Sequence, residues 1–489
     1  MTRYFNDSCV PENTETDINL AMIKFFQELD PNDNNAETKA GNDDASLLPH
    51  VKAKNLLTTV LTSIVSALLG RPISQANNKD RRATEEEKKD IGVLLSQGTV
   101  EKKTDKKNVK QIAPGLITTL IKNMKLFDVE AKKALVIIMQ TLVRESDDFR
   151  KYVCSSQSDD PTGISPIVAQ LVKGFDDKHY SAKFGIALHT GPMLMTIIRN
   201  DERTAKSVLN IHLNHFLPSL PLPAGKEEEE GEPGFVQSES FDIKGIAFDT
   251  LRDLLFNVAD DSQTYVRKNA AEYINAQWSP SLDDMKKEEN AGKPSKNEFF
   301  DKLNLLIKSR DFTTVKATVK LLQSILFCTS KSTFESMLQY VGDPRNLIVA
   351  MNLLRDTAKQ LQFEGFHLFK VFVLNPNRPK TITTILTRNK AGMIAYLDTF
   401  QQARQAEDPA FERELSSVKN AINQMDSTKL KKKTSSEEEA VKNLKPTTDE
   451  VVYSGVEVKE VVKTLKPTTE DVLLNTSRET LSTTATAEK

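Results

Sequence analysis

The sequence lacks the features that mark secreted proteins. Its three cysteines, Cys9, Cys154 and Cys328, lie far apart and form no paired spacing. The first residues, MTRYFNDSCVPENTETD, contain no basic segment followed by an apolar one, so no secretory signal is expected. These absences predict a protein of a reducing, cytoplasmic compartment.

No stretch is apolar enough, and no charge dominant enough, to indicate a membrane-spanning or nucleic-acid-binding protein. The most apolar run, NLLTTVLTSIVSALLG at residues 55–70, is interrupted by Thr and Ser and is shorter than the about 20 apolar residues that cross a bilayer. Lys plus Arg (66) nearly balances Asp plus Glu (68). We therefore expect a buried helix at 55–70, no membrane insertion and no nucleic-acid partner.

Motifs of catalysis and metal binding are also missing. The segment AGKPSK (291–296) lacks the first glycine of a phosphate-binding loop. His212 and His215 are close in NIHLNHFL, but no HExxH motif or nearby cysteine supports zinc. The acidic segment from Asp30, DPNDNNAETKAG, lacks the central glycine and final glutamate of an EF-hand loop. We expect no enzyme activity, no cofactor and no metal site.

Polar stretches interrupt the chain and end it. Three of them, at residues 71–111, 222–234 and 279–297, are too polar to offset their ordering entropy by burial, so we expect loops. A disordered tail is predicted from residue 426. In that tail VKNLKPTTDEVV, from Val441, returns as VKTLKPTTEDVL from Val462. The copies are either a duplicated linear motif or spacer, or the drift of an unconstrained segment.

What remains has the apolar period of α-helices. Four segments place a small residue before large apolar ones four and eight positions later, on one helix face. They are Ala134, Ile138 and Leu142; Ala247, Leu251 and Leu255; Ala317, Leu321 and Ile325; and Gly365, Phe369 and Val373. The distances along the sequence between these four segments approach the length of HEAT and armadillo repeats once the inserts are removed. This requires one more repeat near residues 179–188. The fold class predicted is an all-α helical-repeat solenoid.

The last of these segments is unusually aromatic. Phe363, Phe366, Phe369 and Phe372 follow one another at three-residue steps, which favours core packing over a ligand pocket. Phe366, Phe369 and Val373 are the expected core-facing set. His367 is expected to be a packed histidine.

Residues 351–377, MNLLRDTAKQLQFEGFHLFKVFVLNPN, resemble the signature of the calcium-binding protein 39 family, also called the mouse-protein-25 scaffolds. The resemblance continues in SFDIKGIAFDTLRDLL (240–255) and DFTTVKATVKLLQSIL (311–326). It is looser in LFDVEAKKALVIIMQTLVR (126–144) and YLDTFQQARQAEDPAFERE (396–414). It extends from about Gln111 to Met425, while the first 110 residues match weakly.

The resemblance implies a non-catalytic scaffold with an armadillo-like, horseshoe-shaped fold. In that family the concave face binds a Trp-Glu-Phe-type C-terminal peptide of a pseudokinase adaptor or of a sterile-twenty-class kinase. It also docks helix C of the kinase and so activates it allosterically. The implied partner is therefore a protein kinase or its pseudokinase adaptor.

Five residues fall on positions of the family's binding surface. Phe312, Lys316 and Lys320 resemble its kinase-contacting Tyr, Arg and Lys, Met351 a pocket methionine, and Phe241 a concave aromatic. Independently of the family, spacing by four places the first three on one helix stripe, beside an apolar arc. That arc comprises Val315, Val319, Leu322 and Leu326.

The chain departs from the family at several of these positions. Phe312 lacks the phenol and Lys316 lacks the guanidinium fork. Ile348 stands where a lysine is usual, and two extra residues leave only Lys331 as a cation near the expected pocket arginine.

We predict three regions: a divergent N-terminal region with helices and a low-complexity insert (1–110), a helical-repeat scaffold domain (111–425) and the disordered tail (426–489). A generic helical-repeat adaptor for transport or phosphatase assembly is the alternative function.

Overall fold

The computed structural model describes residues 49–69, 84–96, 115–155, 164–176, 185–220, 231–258, 264–279, 296–328 and 331–425. The tail from residue 426 and its LKPTT repeat, most of the polar inserts, and the acidic segment from Asp30 lie outside these residues. The chain divides into two compact units, Met1–Leu255 and Phe256–Lys489.

The regular elements among the described residues of the first unit are all helices. Its helices are α1 (Pro49–Leu69), α2 (Glu85–Ser96), α3 (Leu116–Lys122), α4 (Val129–Glu145), α5 (Asp147–Cys154), α6 (Pro166–Lys173), α7 (Ala187–Asn200), α8 (Glu202–Phe216) and α9 (Phe241–Leu255). Single 3-10 turns occur at Met124–Leu126 and Phe235–Gln237.

The second unit combines helices with two short antiparallel strand pairs. Its elements are β1 (Phe256–Val258), β2 (Thr264–Val266), α10 (Lys268–Ala276), β3 (Trp278–Ser279), β4 (Lys296–Asn297), α11 (Glu298–Ile307), α12 (Phe312–Leu326), α13 (Lys331–Gly342), α14 (Pro344–Leu354), α15 (Lys359–Leu374), α16 (Lys380–Arg388), α17 (Lys390–Asp398), α18 (Gln402–Glu407) and α19 (Pro409–Asn423). Phe256 pairs with Val266 in the first strand pair, and Trp278 with Asn297 in the second.

Within each unit the helices stack side by side. In the first unit α1, α4, α7 and α9 pack in that order, and in the second α12, α15 and α19 do the same, with α14 against α15. Helix α7 supplies the additional repeat predicted between α4 and α9. It begins at Ala187, and residues 177–184 lie outside the described part. Successive stacking is the arrangement of helical-repeat proteins, so the all-α repeat prediction is confirmed.

Aspartates at helix starts help to position several of these elements. The Asp128 carboxylate accepts from the Ala131 amide at 2.7 Å before α4, and the Asp311 carboxylate accepts from the Thr313 amide at 3.1 Å before α12. Such caps satisfy amides that the first helical turn leaves without a partner.

The predicted core faces are the ones buried. The buried members are Ala134, Ile138, Leu142, Ala247, Leu251, Leu255, Leu321, Ile325, Gly365, Phe369 and Val373. Ala317 is the exception, since it is only half-buried. The small-then-large pattern therefore identifies the packing faces of α4, α9 and α15, and most of that of α12.

Helix α1 contains the most apolar run of the sequence and packs on α4. Leu57, Leu61, Ile64 and Leu68 are buried along one side of it. The prediction of a buried helix is confirmed. Among the described residues no helix has the length and apolarity needed to cross a bilayer.

One polar insert was predicted wrongly in part. Residues 85–96 of the stretch 71–111 form α2, where a loop was expected. Thr84 and Glu87 cap it reciprocally: the Glu87 amide donates to the Thr84 hydroxyl and the Thr84 amide to the Glu87 carboxylate. Ile91, Gly92 and Leu95 are buried, so this charged helix docks through a short apolar strip.

Cys154 and Cys328 are free thiols, and Cys9 lies outside the described residues. Burial raises the pKa of Cys154 to about 11.

Candidate partner-binding site

A small pocket lies where α14, α15 and α17 meet. We call it the Met351 pocket; its volume is about 30 Å³, and its lining includes Met351, Arg355, Phe369, Gly392, Met393 and Tyr396. Met351 is half-buried and follows the packed face of α14 by one residue. Two methionines in one lining favour an adaptable apolar site, because unbranched side chains change rotamer easily.

The Met351 pocket is apolar inside and positive at its edge. Arg355 is exposed beside it, and its charge acts on Tyr396. The Tyr396 hydroxyl donates to the Leu354 carbonyl oxygen, which joins α17 to the end of α14. Burial raises the pKa of Tyr396, and Arg355 opposes that rise. An apolar group with an adjacent carboxylate matches this combination.

A group of cations from α12 and α18 acts on Glu364 of α15. Burial raises the pKa of Glu364, whereas Gln323 and the charges of Lys320, Lys316 and Arg404 favour its ionised form. We call Lys316, Lys320 and Arg404 the basic cluster. Because three cations act on one carboxyl group, the cluster keeps an excess of positive charge that is available to an acidic partner.

Helix α15 links the two features. Glu364 and Phe369 are five residues apart, which is about 7.5 Å along a helix axis. The Gln323 amide donates to the Glu364 carbonyl oxygen at 3.0 Å and so joins α12 to α15. The Arg404 guanidinium lies 3.7 Å from the centre of the Phe363 ring, a cation–π contact. The Met351 pocket and the basic cluster therefore rest on one packed helix.

The remaining aromatics of α15 are core, as predicted. Phe366, Phe369 and Phe372 are at most 1 % exposed, and only Phe363 is half-buried, under Arg404. His367 packs edge-on against Phe363 at 4.4 Å, and burial lowers its pKa to about 3. His367 is therefore neutral at physiological pH.

The predicted stripe on α12 is accessible, but its apolar arc is not. Phe312 is 43 % exposed, Lys316 half-buried and Lys320 exposed. Val315 and Val319 are 4 % and 0 % exposed, and Leu322 and Leu326 are equally buried. A partner on α12 would therefore meet Phe312 and the two lysines, because the arc packs into the core.

Phe241 belongs to the first unit and opens α9. It is 72 % exposed, and Gly245, one turn later, is exposed with no atom within 4 Å of an added Cβ. An aromatic ring beside bare backbone is a reasonable contact surface. Its relation to Phe312 and Met351 stays a prediction.

The structure adds residues that the sequence did not suggest. Arg355 supplies a cation at the Met351 pocket, whereas Ile348 is exposed and does not line it. Spacing by four from Met351 was the one signal for Arg355. No spacing in the sequence pointed to Gly392, Met393 or Arg404, because the packing of separate helices places them at the site. The Lys331 side chain lies outside the described residues.

Metal ligands do not converge in the described ranges. No group of three His, Cys, Asp or Glu side chains there is close enough to hold an ion. The rings of His212 and His215 are 5.4 Å apart, and burial lowers the pKa of His212 to about 4.

Stacked helices with a pocket and a charged surface define a helical-repeat scaffold. The Mo25-like family model matches residues 50–284 and 293–426, and the chain belongs to that family. The match begins at residue 50, earlier than the Gln111 from which the resemblance was expected to extend.

Relatives come from distant organisms. The chain is 29 % identical over 339 residues to "Calcium-binding protein 39-like" of Homo sapiens, covering 68 % of this chain and 85 % of that protein. It is 26 % identical over 363 residues to "MO25-like protein 2" of Caenorhabditis elegans, covering 72 % and 91 %. It is 29 % identical over 338 residues to "Degreening-related gene dee76 protein" of Auxenochlorella protothecoides, covering 67 % and 87 %.

Proposed function

We propose that this protein is a non-catalytic scaffold that binds and allosterically activates sterile-twenty-class protein kinases or their pseudokinase adaptor. The Met351 pocket carries the proposal. It combines an apolar interior with the Arg355 cation, which suits a peptide such as Trp-Glu-Phe that has a carboxylate between apolar side chains. At about 30 Å³ it holds little more than a water, so Met351 and Met393 must move to admit a ring.

The basic cluster supports a second contact on the kinase itself. Phe312, Lys316 and Lys320 form an aromatic and cationic stripe that is exposed at Phe312 and Lys320 and half-buried at Lys316, and the cluster retains net positive charge around Glu364. A kinase helix presenting carboxylates would be held there in one orientation. Activation would follow because the bound orientation is favoured over the others.

Met351→Ala should weaken binding of a labelled decapeptide ending in Trp-Glu-Phe by roughly thirtyfold, or about 2 kcal/mol, as for other interface hot spots. Truncation removes part of the wall that the ring contacts. Fluorescence anisotropy measures the Kd. Ile348→Ala is the matched control, since Ile348 is on the same helix but does not line the pocket. Equal losses in both variants would contradict the peptide site.

Lys316→Ala should reduce activation of a sterile-twenty-class kinase about threefold, because a rim charge contributes up to about 1 kcal/mol. It should leave the Kd of the Trp-Glu-Phe peptide unchanged and make kinase activation less sensitive to salt. Kinase assays at two ionic strengths measure both effects. Lys308→Ala, an exposed lysine outside the basic cluster, is the control.

The alternative is a generic helical-repeat adaptor for transport or phosphatase assembly. Its support is the departures at Phe312, Lys316 and Ile348. Full activation by Lys316→Ala together with full peptide binding by Met351→Ala, in folded proteins, would favour the alternative.

A further inference from the structure

The last described residue, Met425, lies near the helix that forms one wall of the Met351 pocket. The Lys390 ammonium donates to the carbonyl oxygens of Asn423, at 2.6 Å, and Met425, at 3.2 Å. Lys390 opens α17, and Gly392 and Met393 on that helix line the pocket. Lys390 and Met393 are about 4.5 Å apart along the axis. The tail therefore starts at the helix that forms one wall of the pocket.

The tail repeats a segment whose chemistry matches that pocket. Each copy of the duplicated motif ends in two carboxylates followed by two aliphatic residues: DEVV at 449–452 and EDVL at 470–473. The Met351 pocket offers Arg355 for a carboxylate and an apolar interior for a side chain. Its volume of about 30 Å³ admits a short branched group more readily than an indole ring.

We propose that these two acidic–aliphatic motifs dock in the Met351 pocket of their own chain, with a carboxylate on Arg355 and Val451 or Val472 inside. The tail then competes with any partner peptide for the pocket. The competition rests on the proposed function, whereas the docking itself does not. A partner peptide must therefore displace the tail before it can bind in the pocket.

The first motif is within reach. When extended, the chain between Met425 and Val451 spans up to about 85 Å. Tethering at such lengths gives an effective concentration of about 1 mM. A motif whose free peptide binds with a Kd of about 100 µM would then weaken a competing peptide about tenfold.

The test uses full-length protein and the labelled Trp-Glu-Phe decapeptide. One variant carries Val451→Asp, Val452→Asp, Val472→Asp and Leu473→Asp. A matched control carries Val456→Asp and Val458→Asp, which lie between the motifs. We expect the motif variant to bind the probe about tenfold more tightly than the unmodified chain, and the control to bind it equally to the unmodified chain.

A second measurement observes the pocket without a probe. Methyl-labelled methionine spectra report Met351 and Met393, whose signals are assigned by Met351→Leu and Met393→Leu. Both signals should shift between the unmodified chain and the motif variant, and remain in place in the control.

The outcomes separate the two proposals. Probe binding that is equal in all proteins, with unmoved methionine signals, overturns tail docking and leaves the peptide site intact. Shifted signals without any probe binding support tail docking and overturn the peptide site. Equal effects from the control and motif variants overturn the assignment to these motifs.

Discussion

Glu414→Gln should lower the free energy of unfolding of the second unit by about 3 kcal/mol, the lower end of the range for removing one member of a buried ion pair. The Lys370 ammonium lies 2.8 Å from the Glu414 carboxylate, and the two side chains are 1 % and 27 % exposed. The substitution leaves a buried ammonium opposite a neutral amide. His367, 3.9 Å from the same carboxylate, gives no compensation because it is neutral.

Urea titration followed by tryptophan fluorescence reports the unfolding of the second unit, because the one tryptophan, Trp278, lies in β3 of that unit. Glu272→Gln, in α10 of the same unit, is the matched control. Its carboxylate lies 3.9 Å from the Lys268 ammonium, but both side chains are more than half exposed, so we expect a loss below about 1 kcal/mol. The double variant Lys370→Met, Glu414→Gln should recover much of the stability. A loss as small as that of Glu272→Gln would show that water reaches Lys370.

The repeat fold was predictable because it rests on local patterns. The small-then-large spacing marks the faces of α4 and α9 directly, since residues four apart share a helix face. Helix α2 was not predictable in this way. Its buried residues include Ile91 and Leu95, which stand among charged neighbours, and its docking involves contacts such as the Lys88–Glu145 ion pair.

The candidate site was less predictable than the fold. Met351 and the α12 stripe came from the family resemblance and from spacing by four. Arg355 follows Met351 by four residues, but Gly392 and Arg404 meet the site only through the packing of α14, α15, α17 and α18. Such neighbours are far apart in sequence, so no periodicity reveals them. The buried arc on α12 shows the same limit, because an apolar stripe does not say which helix covers it.

Gly365→Ala should destabilise the second unit by about 2 kcal/mol, although alanine is the better helix former. Helices α14 and α15 are in close contact at Gly365. An added Cβ would lie 2.7 Å from the Leu353 Cβ and 2.8 Å from the Leu353 carbonyl carbon and the Leu354 amide nitrogen. Two of these atoms are backbone, so the helices themselves must separate. That separation would loosen the packing around Phe369 and displace Leu354 beside the Met351 pocket.

Gly392→Ala is the matched control for this prediction, because Gly392 is in α17 of the same unit and has no atom within 4 Å of an added Cβ. There the helix preference acts alone, and we expect a gain of up to about 1 kcal/mol. The two identical substitutions should therefore differ by about 3 kcal/mol in urea titrations followed by Trp278 fluorescence. If Gly365→Ala is as stable as Gly392→Ala, α14 and α15 can separate at little cost, and the small residue is not what permits their contact.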